Sequence, residues 1–254
     1  MTVRWKITVI SFPHLGANAW QRCSFQPKVA KKIIIIRKST ISSHLFWQNM
    51  YKEILTEQQL ELLPVMAGFR REYYLVGGTA IALYIGHRRS VDFDMFKYSP
   101  INHKRNLDKL TEAGFSCMVT RRVTEQMNLI VNNVKITFFQ YPFPVEATEK
   151  WASCFRLPSL IQLAAMKAYA LGRRSKWKDY VDLYFLLKSH FSIEDISVAA
   201  SALFGELYSE KMFRAQLCYF EDIDYTEAVD YLIPNPPSDD EIMHALIAFA
   251  QQGI

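Results

Sequence analysis

The fold-deciding stretch is Tyr74-Leu-Val-Gly-Gly-Thr-Ala-Ile-Ala-Leu83, which continues as Gly86-His-Arg-Arg-Ser-Val-Asp-Phe-Asp-Met-Phe96. A short β-prone run meets two glycines, and a helical pattern then runs from Thr79 to Ile85. Glycines at such a junction let the backbone approach a ligand closely, and the N–H groups that start the helix favour an anion. Gly77, Gly78 and Thr79 are therefore a candidate phosphate-binding turn, although a Gly-Gly turn also forms simply to relieve steric strain.

Residues 91–96 alternate strictly between apolar and other side chains, which predicts a strand. Asp92 and Asp94 then share one face of it. Two carboxylates at this spacing suit a hard divalent cation such as Mg²⁺, which phosphoryl or nucleotidyl transfer requires. The alternative is a pair of solvated acids, but Phe96 on the same face argues against simple exposure.

Outward from this unit, the sequence predicts further elements on both sides. Upstream, Thr56 and Gln59 have the spacing of a helix capping box. Downstream come a helix at 106–113, three β-prone runs at 115–123, 127–131 and 134–141, and a hairpin turn at Asn132-Asn133. The rest is predicted to be mainly helical, with patterns at 159–171, 178–189, 193–207, 210–219 and 239–251.

A second set of charges belongs to the helical half. Lys178, Asp179 and Asp182 have helical spacings of three and four residues, and the apolar helix that follows suggests burial. Lys167 shares a face with apolar residues, so it either snorkels to solvent or serves a site. His87, Arg88 and Arg89 lie just before the acidic strand, where they could contact a triphosphate or an RNA backbone, or form a solvated loop.

Composition excludes several classes of protein. The 254 residues are 50% hydrophobic and 22% charged, which predicts a compact globular protein, and no apolar run is long enough to cross a membrane. The four cysteines are scattered, without zinc-ligand spacing. A reducing, cytoplasmic location is therefore expected.

The positive net charge belongs to the first segment. Residues 1–49 hold eight Lys or Arg and no acid, so the remainder has 22 basic against 25 acidic residues and a net charge of −3. Bulk charge is thus a weak argument for nucleic-acid binding by the main body. The leader is interpreted as a disordered or transit-like extension, or as residues that precede a true translation start at Met50, and the last interpretation is favoured.

Taken together, residues 74–96 resemble the AbiEii/AbiGii-type toxin nucleotidyltransferases, a family of the polymerase-β-like nucleotidyltransferase superfamily. The resemblance continues in family order at 134–142, 163–167 and 178–187, and covers roughly residues 50–189. It implies an α+β fold, in which a nucleotidyltransferase core of mixed sheet and flanking helices (50–150) is followed by a helical domain (151–254) that completes the active site.

The resemblance also implies roles for individual residues. Asp92 and Asp94 match the family's metal-binding carboxylates, and Gly77, Gly78 and Thr79 match its phosphate-binding turn. In the helical domain, Lys178 would contact phosphates, Asp179 and Asp182 would orient that lysine or the acceptor, and Lys167 would lie near the nucleotide.

One departure from the superfamily pattern concerns a third acid. The strand that often supplies it carries Lys135 and Thr137 here. Because that acid usually serves as the general base, activation of the acceptor hydroxyl is open, and Asp179 or Asp182 is a candidate substitute.

The function expected from the sequence is transfer of a nucleoside monophosphate from a nucleoside triphosphate, with Mg²⁺, or Mn²⁺ as an alternative. By resemblance the acceptor is RNA, especially tRNA, and the protein is a toxin with a separate antitoxin partner. Two alternatives stay open: transfer to a protein side chain, and a nucleotide-binding pseudoenzyme that acts as an interaction module.

Overall fold

The computed structural model describes residues 50–171, 173–174 and 176–253. The leader expectation at 1–49, and Cys23, lie outside this part of the chain. A 3₁₀ turn at Lys52–Ile54 precedes the elements of the first half. These are α1 (Glu57–Ala67), β1 (Tyr74–Val76), α2 (Gly77–Ile85), β2 (Asp92–Lys97), α3 (His103–Glu112), β3 (Cys117–Val123), β4 (Gln126–Val131) and β5 (Val134–Gln140).

The second half begins with a two-stranded hairpin and is otherwise helical. Its elements are β6 (Glu149–Trp151), β7 (Phe155–Leu157), α4 (Leu160–Leu171), α5 (Trp177–Ser189), α6 (Ile193–Phe204), α7 (Glu210–Leu217) and α8 (Asp239–Gln251). A connecting segment, defined here as residues 218–238, joins α7 to α8. Among the described helices, none combines the length and apolar character needed to cross a bilayer.

The main sheet is mixed, as expected for the α+β class. Its five strands lie in the order β1-β2-β5-β4-β3. β2 and β5 are parallel, while the other neighbouring pairs are antiparallel. The chain between the two parallel strands supplies α3, β3 and β4 as the crossover, so that β5 returns beside β2.

The predicted alternation of β2 is confirmed. Phe93 and Met95 are fully buried against the core, whereas Asp92 and Asp94 are half-buried on the opposite face. Below the core face, the Phe138 ring of β5 lies 5.0 Å from the Phe69 ring. The strand therefore has one face that holds the fold together and one that is free to carry chemistry.

Helix starts follow their capping residues. The capping box of Thr56 and Gln59 is present at α1, as the spacing predicted. α3 starts three residues before its predicted position, because the side chain of Asn102 accepts a hydrogen bond from the Arg105 backbone at 3.0 Å. α2 likewise starts at Gly77 rather than at Thr79.

The β6–β7 hairpin was not predicted from the sequence. Each strand has three residues, and the turn between them uses Ala152 and Ser153 at positive φ rather than glycine or asparagine. Trp151 stacks on Phe155 with ring centroids 6.1 Å apart, so aromatic packing stabilises a hairpin that has no turn signature. α6 and α7 also end earlier than predicted, at Phe204 and Leu217.

Glycine is required at the junction of β1 and α2. Gly77 has φ +73°, and a Cβ atom there would lie 2.3 Å from Oδ2 of Asp94. Gly114 has φ +89° but no atom within 4 Å of the same hypothetical Cβ. Both positions have a backbone conformation that is unfavourable for residues other than glycine. Of the two, Gly77 alone also lacks space for a Cβ atom, because Asp94 occupies that space.

We therefore expect Gly77→Ala to destabilise the protein more than Gly114→Ala. Backbone strain should cost about 1 to 2 kcal/mol at each position, and the contact with Asp94 should add at least about 1 kcal/mol at Gly77. Urea titration of both variants measures the difference. Equal losses would mean that the Asp94 side chain moves aside without cost.

Candidate active site

The site face of β2 opens into a cavity of about 700 Å³. Asp94 and Gly77 line it on one side, and Lys167 and Arg174 line it on the other. The remaining lining residues from the sheet are Val76, Phe96, Gln126, Asn128, Lys135, Thr137 and Phe139. The cavity thus lies between the mixed sheet and α4. Asp94 is the acid in its lining, whereas Asp92 is not among the lining residues.

The turn at the start of α2 lies against the carboxylate pair. The close approach of Gly77 to Asp94 leaves no room for a side chain, so backbone N–H groups are all that the turn presents. The first N–H groups of a helix have no partner within the helix and attract anions. This turn can therefore hold a phosphate group within reach of Asp94.

Thr79 and Gly78 are held by contacts with Ser90 and Arg88, which precede β2. The Thr79 hydroxyl is 2% exposed and donates to Ser90 Oγ at 2.8 Å, which ties α2 to the segment before β2. A Cβ atom on Gly78 would lie 2.4 Å from Nη2 of Arg88. Thr79 therefore acts on a ligand only through its backbone, and Arg88 packs directly behind the turn.

Asp92 and Asp94 are held in an environment that disfavours two negative charges. Burial and the neighbouring charge of Asp94 raise the pKa of Asp92. Burial also raises the pKa of Asp94, although Arg174 and Lys167 oppose it. A divalent cation would relieve this repulsion, and two carboxylates with water and substrate oxygens form an ordinary Mg²⁺ donor set.

No third acid completes the pair within the described residues. β5 places Lys135 opposite Asp92 and Thr137 opposite Asp94, and the described chain has no cluster of three potential metal-ligating side chains. The residues present still fit Mg²⁺, because this ion commonly keeps several waters and takes one or two protein carboxylates plus substrate phosphates.

The predicted acid of α5, Asp182, lies at the centre of a buried charge network. It is fully buried and accepts hydrogen bonds from His87 Nε2 at 2.7 Å and Arg88 Nε at 2.8 Å. A second oxygen accepts from Arg88 Nη2 at 2.9 Å and lies 2.9 Å from Lys167 Nζ. Burial alone would raise the pKa of Asp182, but Arg88 and Lys167 hold it well below its ordinary value.

Asp179 anchors the other end of the same network. One oxygen accepts from Lys167 Nζ at 2.7 Å, and the other accepts from Arg174 Nε at 2.7 Å. Burial opposes ionisation here too, yet Lys167 and Arg174 lower the pKa of Asp179. Lys167, which lines the cavity, is therefore fixed by two carboxylates one helical turn apart.

These contacts argue against Asp179 and Asp182 as general bases. Each carboxylate is ionised and already accepts several hydrogen bonds from cations, so its affinity for a proton is low. Their geometry supports the other role that the sequence suggested, which is to orient cations. Arg88 is likewise a positioning residue, because its guanidinium binds Asp182 and the residue is only 3% exposed.

Lys178 takes a different position from its neighbours in the motif. Its Nζ lies 3.4 Å from Glu227 of the connecting segment, and Lys176 pairs with the same carboxylate. Lys178 and Glu227 are both close enough to Asp92 to influence its pKa, in opposite directions. Lys178 therefore lies at the Asp92 side of the site, apart from the Lys167 network.

Sequence reasoning missed two site residues, Arg174 and Glu227. His87, a candidate together with Arg88, contacts Asp182 through its ring. Arg174 had a usable signal, since it precedes Asp179 by five residues at the edge of the recognised motif. Glu227 had none, because it reaches the site through a connecting segment without helix or strand. The segment is fixed by a bridge of Arg88 with Tyr231 and another of Lys176 with Asp224.

The far end of the cavity is aromatic. Five aromatic residues line it in a continuous series: Phe96, Phe139, Tyr141, Phe143 and Tyr169. The ring centroids of Phe96 and Phe139, for example, are 5.1 Å apart. The guanidinium of Arg173 lies 3.6 Å from the centre of the Tyr169 ring. Flat apolar surfaces beside a cation suit a planar heterocycle.

Comparison with known proteins identifies the family. Residues 65–241 match the family model described as nucleotidyl transferase AbiEii toxin, Type IV TA system. The uncharacterized protein aq_aa25 of Aquifex aeolicus (strain VF5) is 28% identical over 178 residues, which cover 66% of this chain and 84% of that protein.

Two solved structures are similar to this chain. JHP933 from Helicobacter pylori has a TM-score of 0.51 at 19% identity, over 78% of this chain and 92% of that one. MenT4, the nucleotidyltransferase toxin Rv2826c from Mycobacterium tuberculosis H37Rv, has a TM-score of 0.49 at 14% identity, over 77% of this chain and 83% of that one. The H. pylori likeness shows a shared fold.

The charge network leads to a stability prediction for Asp182→Asn. Removing this charge leaves Arg88 buried without its carboxylate partner and leaves Lys167 with Asp179 as its remaining partner, so the free energy of unfolding should fall by about 3 to 5 kcal/mol. Asp230→Asn is the matched control, because Asp230 pairs with the adjacent Arg89 on the surface and should cost less than about 1 kcal/mol. Urea titration measures both, and similar losses would contradict the central role of Asp182.

The same network predicts how stability depends on pH. The lowered pKa of Asp182 means that its ion pairs contribute fully above the unfolded value of about 3.9 and are lost as pH falls through the folded value. The stability difference between wild type and Asp182→Asn should therefore be constant above about pH 5 and shrink below about pH 4. Urea titrations across this pH range test it, and a difference that grows on acidification would contradict it.

Proposed function

The chain belongs to the AbiEii family of nucleotidyltransferase toxins, and from that premise we propose its reaction. It transfers a nucleoside monophosphate from a nucleoside triphosphate to an RNA acceptor such as tRNA, with release of pyrophosphate. The observation that carries the proposal is the contact between Gly77 and Asp94, because it brings an anion-binding helix start against a carboxylate pair. Mg²⁺, or Mn²⁺ in its place, is the proposed cofactor.

The cavity supplies a position for the triphosphate. Backbone N–H groups of the Gly77–Thr79 turn would bind its oxygens, and Lys167 and Arg174 would face them from α4 and the loop after it. When bound to Asp92 and Asp94, the metal would neutralise triphosphate oxygens and activate the acceptor hydroxyl. The aromatic end of the cavity is left for the base.

The remaining motif residues position these groups. Asp179 and Asp182 hold Lys167 so that its ammonium group stays directed into the cavity. Arg88 braces the Gly78 backbone and is itself fixed by Asp182. Lys178 would contact phosphate on the Asp92 side, in exchange for its present partner Glu227. Prearranged cations of this kind stabilise negative charge without reorganisation during the reaction.

A nucleotide-binding pseudoenzyme is the second candidate, and one observation favours it. The strand beside the carboxylate pair carries Lys135 and Thr137 instead of an acid, so no general base is evident. A protein side chain is the alternative acceptor. The family description also supports a separately encoded antitoxin as a partner in either case.

The proposed metal site predicts the effect of two substitutions. Asp92→Asn and Asp94→Asn should each lower the transfer rate by about 10³-fold or more, because each removes a charge that holds the metal. The assay is transfer of label from each α-labelled nucleoside triphosphate to total RNA and protein with Mg²⁺. Asp108→Asn is the control, since the side chain of this acid on α3 is 42% exposed and, among the described residues, forms its ion pair with Lys104 at the surface.

Each outcome of this assay decides between the candidates. The enzyme is supported if both site variants lose label transfer while Asp108→Asn keeps it and the unfolding temperatures of all variants are unchanged. A chelator should abolish transfer by the wild-type protein in the same way. Undiminished transfer in Asp92→Asn would exclude the metal site. Nucleotide binding by calorimetry without any labelled product would select the pseudoenzyme.

A further inference from the structure

A row of side chains crosses the sheet from the carboxylate pair to its open edge. β5 places Thr137 opposite Asp94, β4 places Asn128 opposite Thr137, and β3 places Arg121 opposite Asn128. Directly paired residues of neighbouring strands project from the same face of a sheet. Arg121 therefore ends, at the edge strand, a row that begins at Asp94.

A parallel row begins at the other carboxylate. Lys135 lies opposite Asp92, Ile130 opposite Lys135, and Met118 opposite Ile130. Met118 is 58% exposed, so this row ends in an apolar side chain at the surface. We call the six residues beyond the carboxylates the acceptor shelf: Lys135, Thr137, Asn128, Ile130, Met118 and Arg121.

The shelf carries two positively charged side chains that are open to solvent. Lys135 and Arg121 are exposed, and neither forms an ion pair within the part of the chain that the structure describes. Lys135 is close enough to both carboxylates to affect them electrostatically. The shelf itself holds no acid, so from Lys135 outward its charges are cationic.

The dimensions suit an extended strand rather than a single group. Neighbouring strands are about 4.8 Å apart, so Arg121 on β3 is about 14 Å from the strand of Asp94. A nucleoside triphosphate placed at the Gly77 turn would not need such a length. Lys135 lies near the carboxylates and Arg121 at the sheet edge, with polar and apolar side chains between them. This order of cations and flat or polar surface matches a strand of repeated phosphates and bases.

We propose that the acceptor shelf binds the RNA strand whose hydroxyl group receives the nucleotide, and that Arg121 and Lys135 contact its phosphates. This inference rests on the proposed function for the identity of the acceptor. Arg121 is then an acceptor-binding residue outside the recognised motifs. Met118 and Ile130 offer bases an apolar surface at the sheet edge.

The test compares two adjacent arginines on opposite faces of β3. Arg122 pairs with Met127, which is 1% exposed and belongs to the core face, whereas Arg121 pairs with Asn128 on the shelf. Both arginines are exposed, so Arg121→Ala and Arg122→Ala remove the same charge at neighbouring positions without disturbing the core. Full-length protein is titrated with unfractionated tRNA by fluorescence anisotropy at several KCl concentrations.

Arg121→Ala should raise the dissociation constant for tRNA about tenfold and lower the salt slope by about 0.7 to 1. Arg122→Ala should match wild type, and Arg121→Lys should restore the slope. In the transfer assay, Arg121→Ala should raise KM for tRNA at unchanged kcat, with nucleotide affinity by calorimetry also unchanged.

Three results would overturn the proposal: equal effects of the two arginines, no change in either, or wild-type label that appears on protein instead of RNA. Because tRNA binding needs no chemistry, the test separates the two claims. Arg121-dependent binding without transfer would retain the shelf and reject the reaction. Transfer to tRNA that is indifferent to Arg121 would retain the reaction and reject the shelf.

Discussion

The arrangement of the site depends on one buried charge, the carboxylate of Asp182. It joins three parts of the chain, because His87 and Arg88 precede β2, Lys167 belongs to α4, and Asp182 itself belongs to α5. Burying this many charges is costly and is tolerated only when each one is paired and hydrogen-bonded. The interaction therefore fixes how the helical half docks against the sheet, and with it the position of Lys167 in the cavity lining.

The network also determines the electrical character of the cavity. Asp179 and Asp182 are matched by three permanent cations, Arg88, Lys167 and Arg174, so the cluster keeps an excess positive charge. That excess is directed at the cavity, where Lys167 and Arg174 oppose the burial that raises the pKa of Asp94. The same cations that partly stabilise the charged form of Asp94 are thus prearranged for a polyanionic substrate.

The sequence predicted those elements whose signal lies within a few consecutive residues. The strict alternation around Asp92 and Asp94, the capping box at Thr56 and the glycine turn at 77–78 each depend on neighbours within a few residues. The mixed α+β fold was implied by the family resemblance of the motifs. The β6–β7 hairpin escaped prediction because its turn residues, Ala152 and Ser153, adopt positive φ without being Gly or Asn, the residue types that signal such a turn. Partners across long loops escaped too: nothing local links Asp182 to Arg88, 94 residues away, or Lys178 to Glu227.

The replacement of a third acid by Lys135 and Thr137 has a consequence beyond the metal. An acid on β5 would add negative charge to a face where burial and the Asp94 charge already raise the pKa of Asp92. Lys135 instead changes the sign of the potential one strand away, and the side chains that follow on β4 and β3 add no negative charge. A polyanion approaching across these strands then meets no acid among the six shelf residues before it reaches the carboxylate pair, whose charge a bound cation would cancel. The missing acid weakens the case for a protein-supplied base, yet it makes the face that leads to Asp92 and Asp94 more accessible to a nucleic-acid strand.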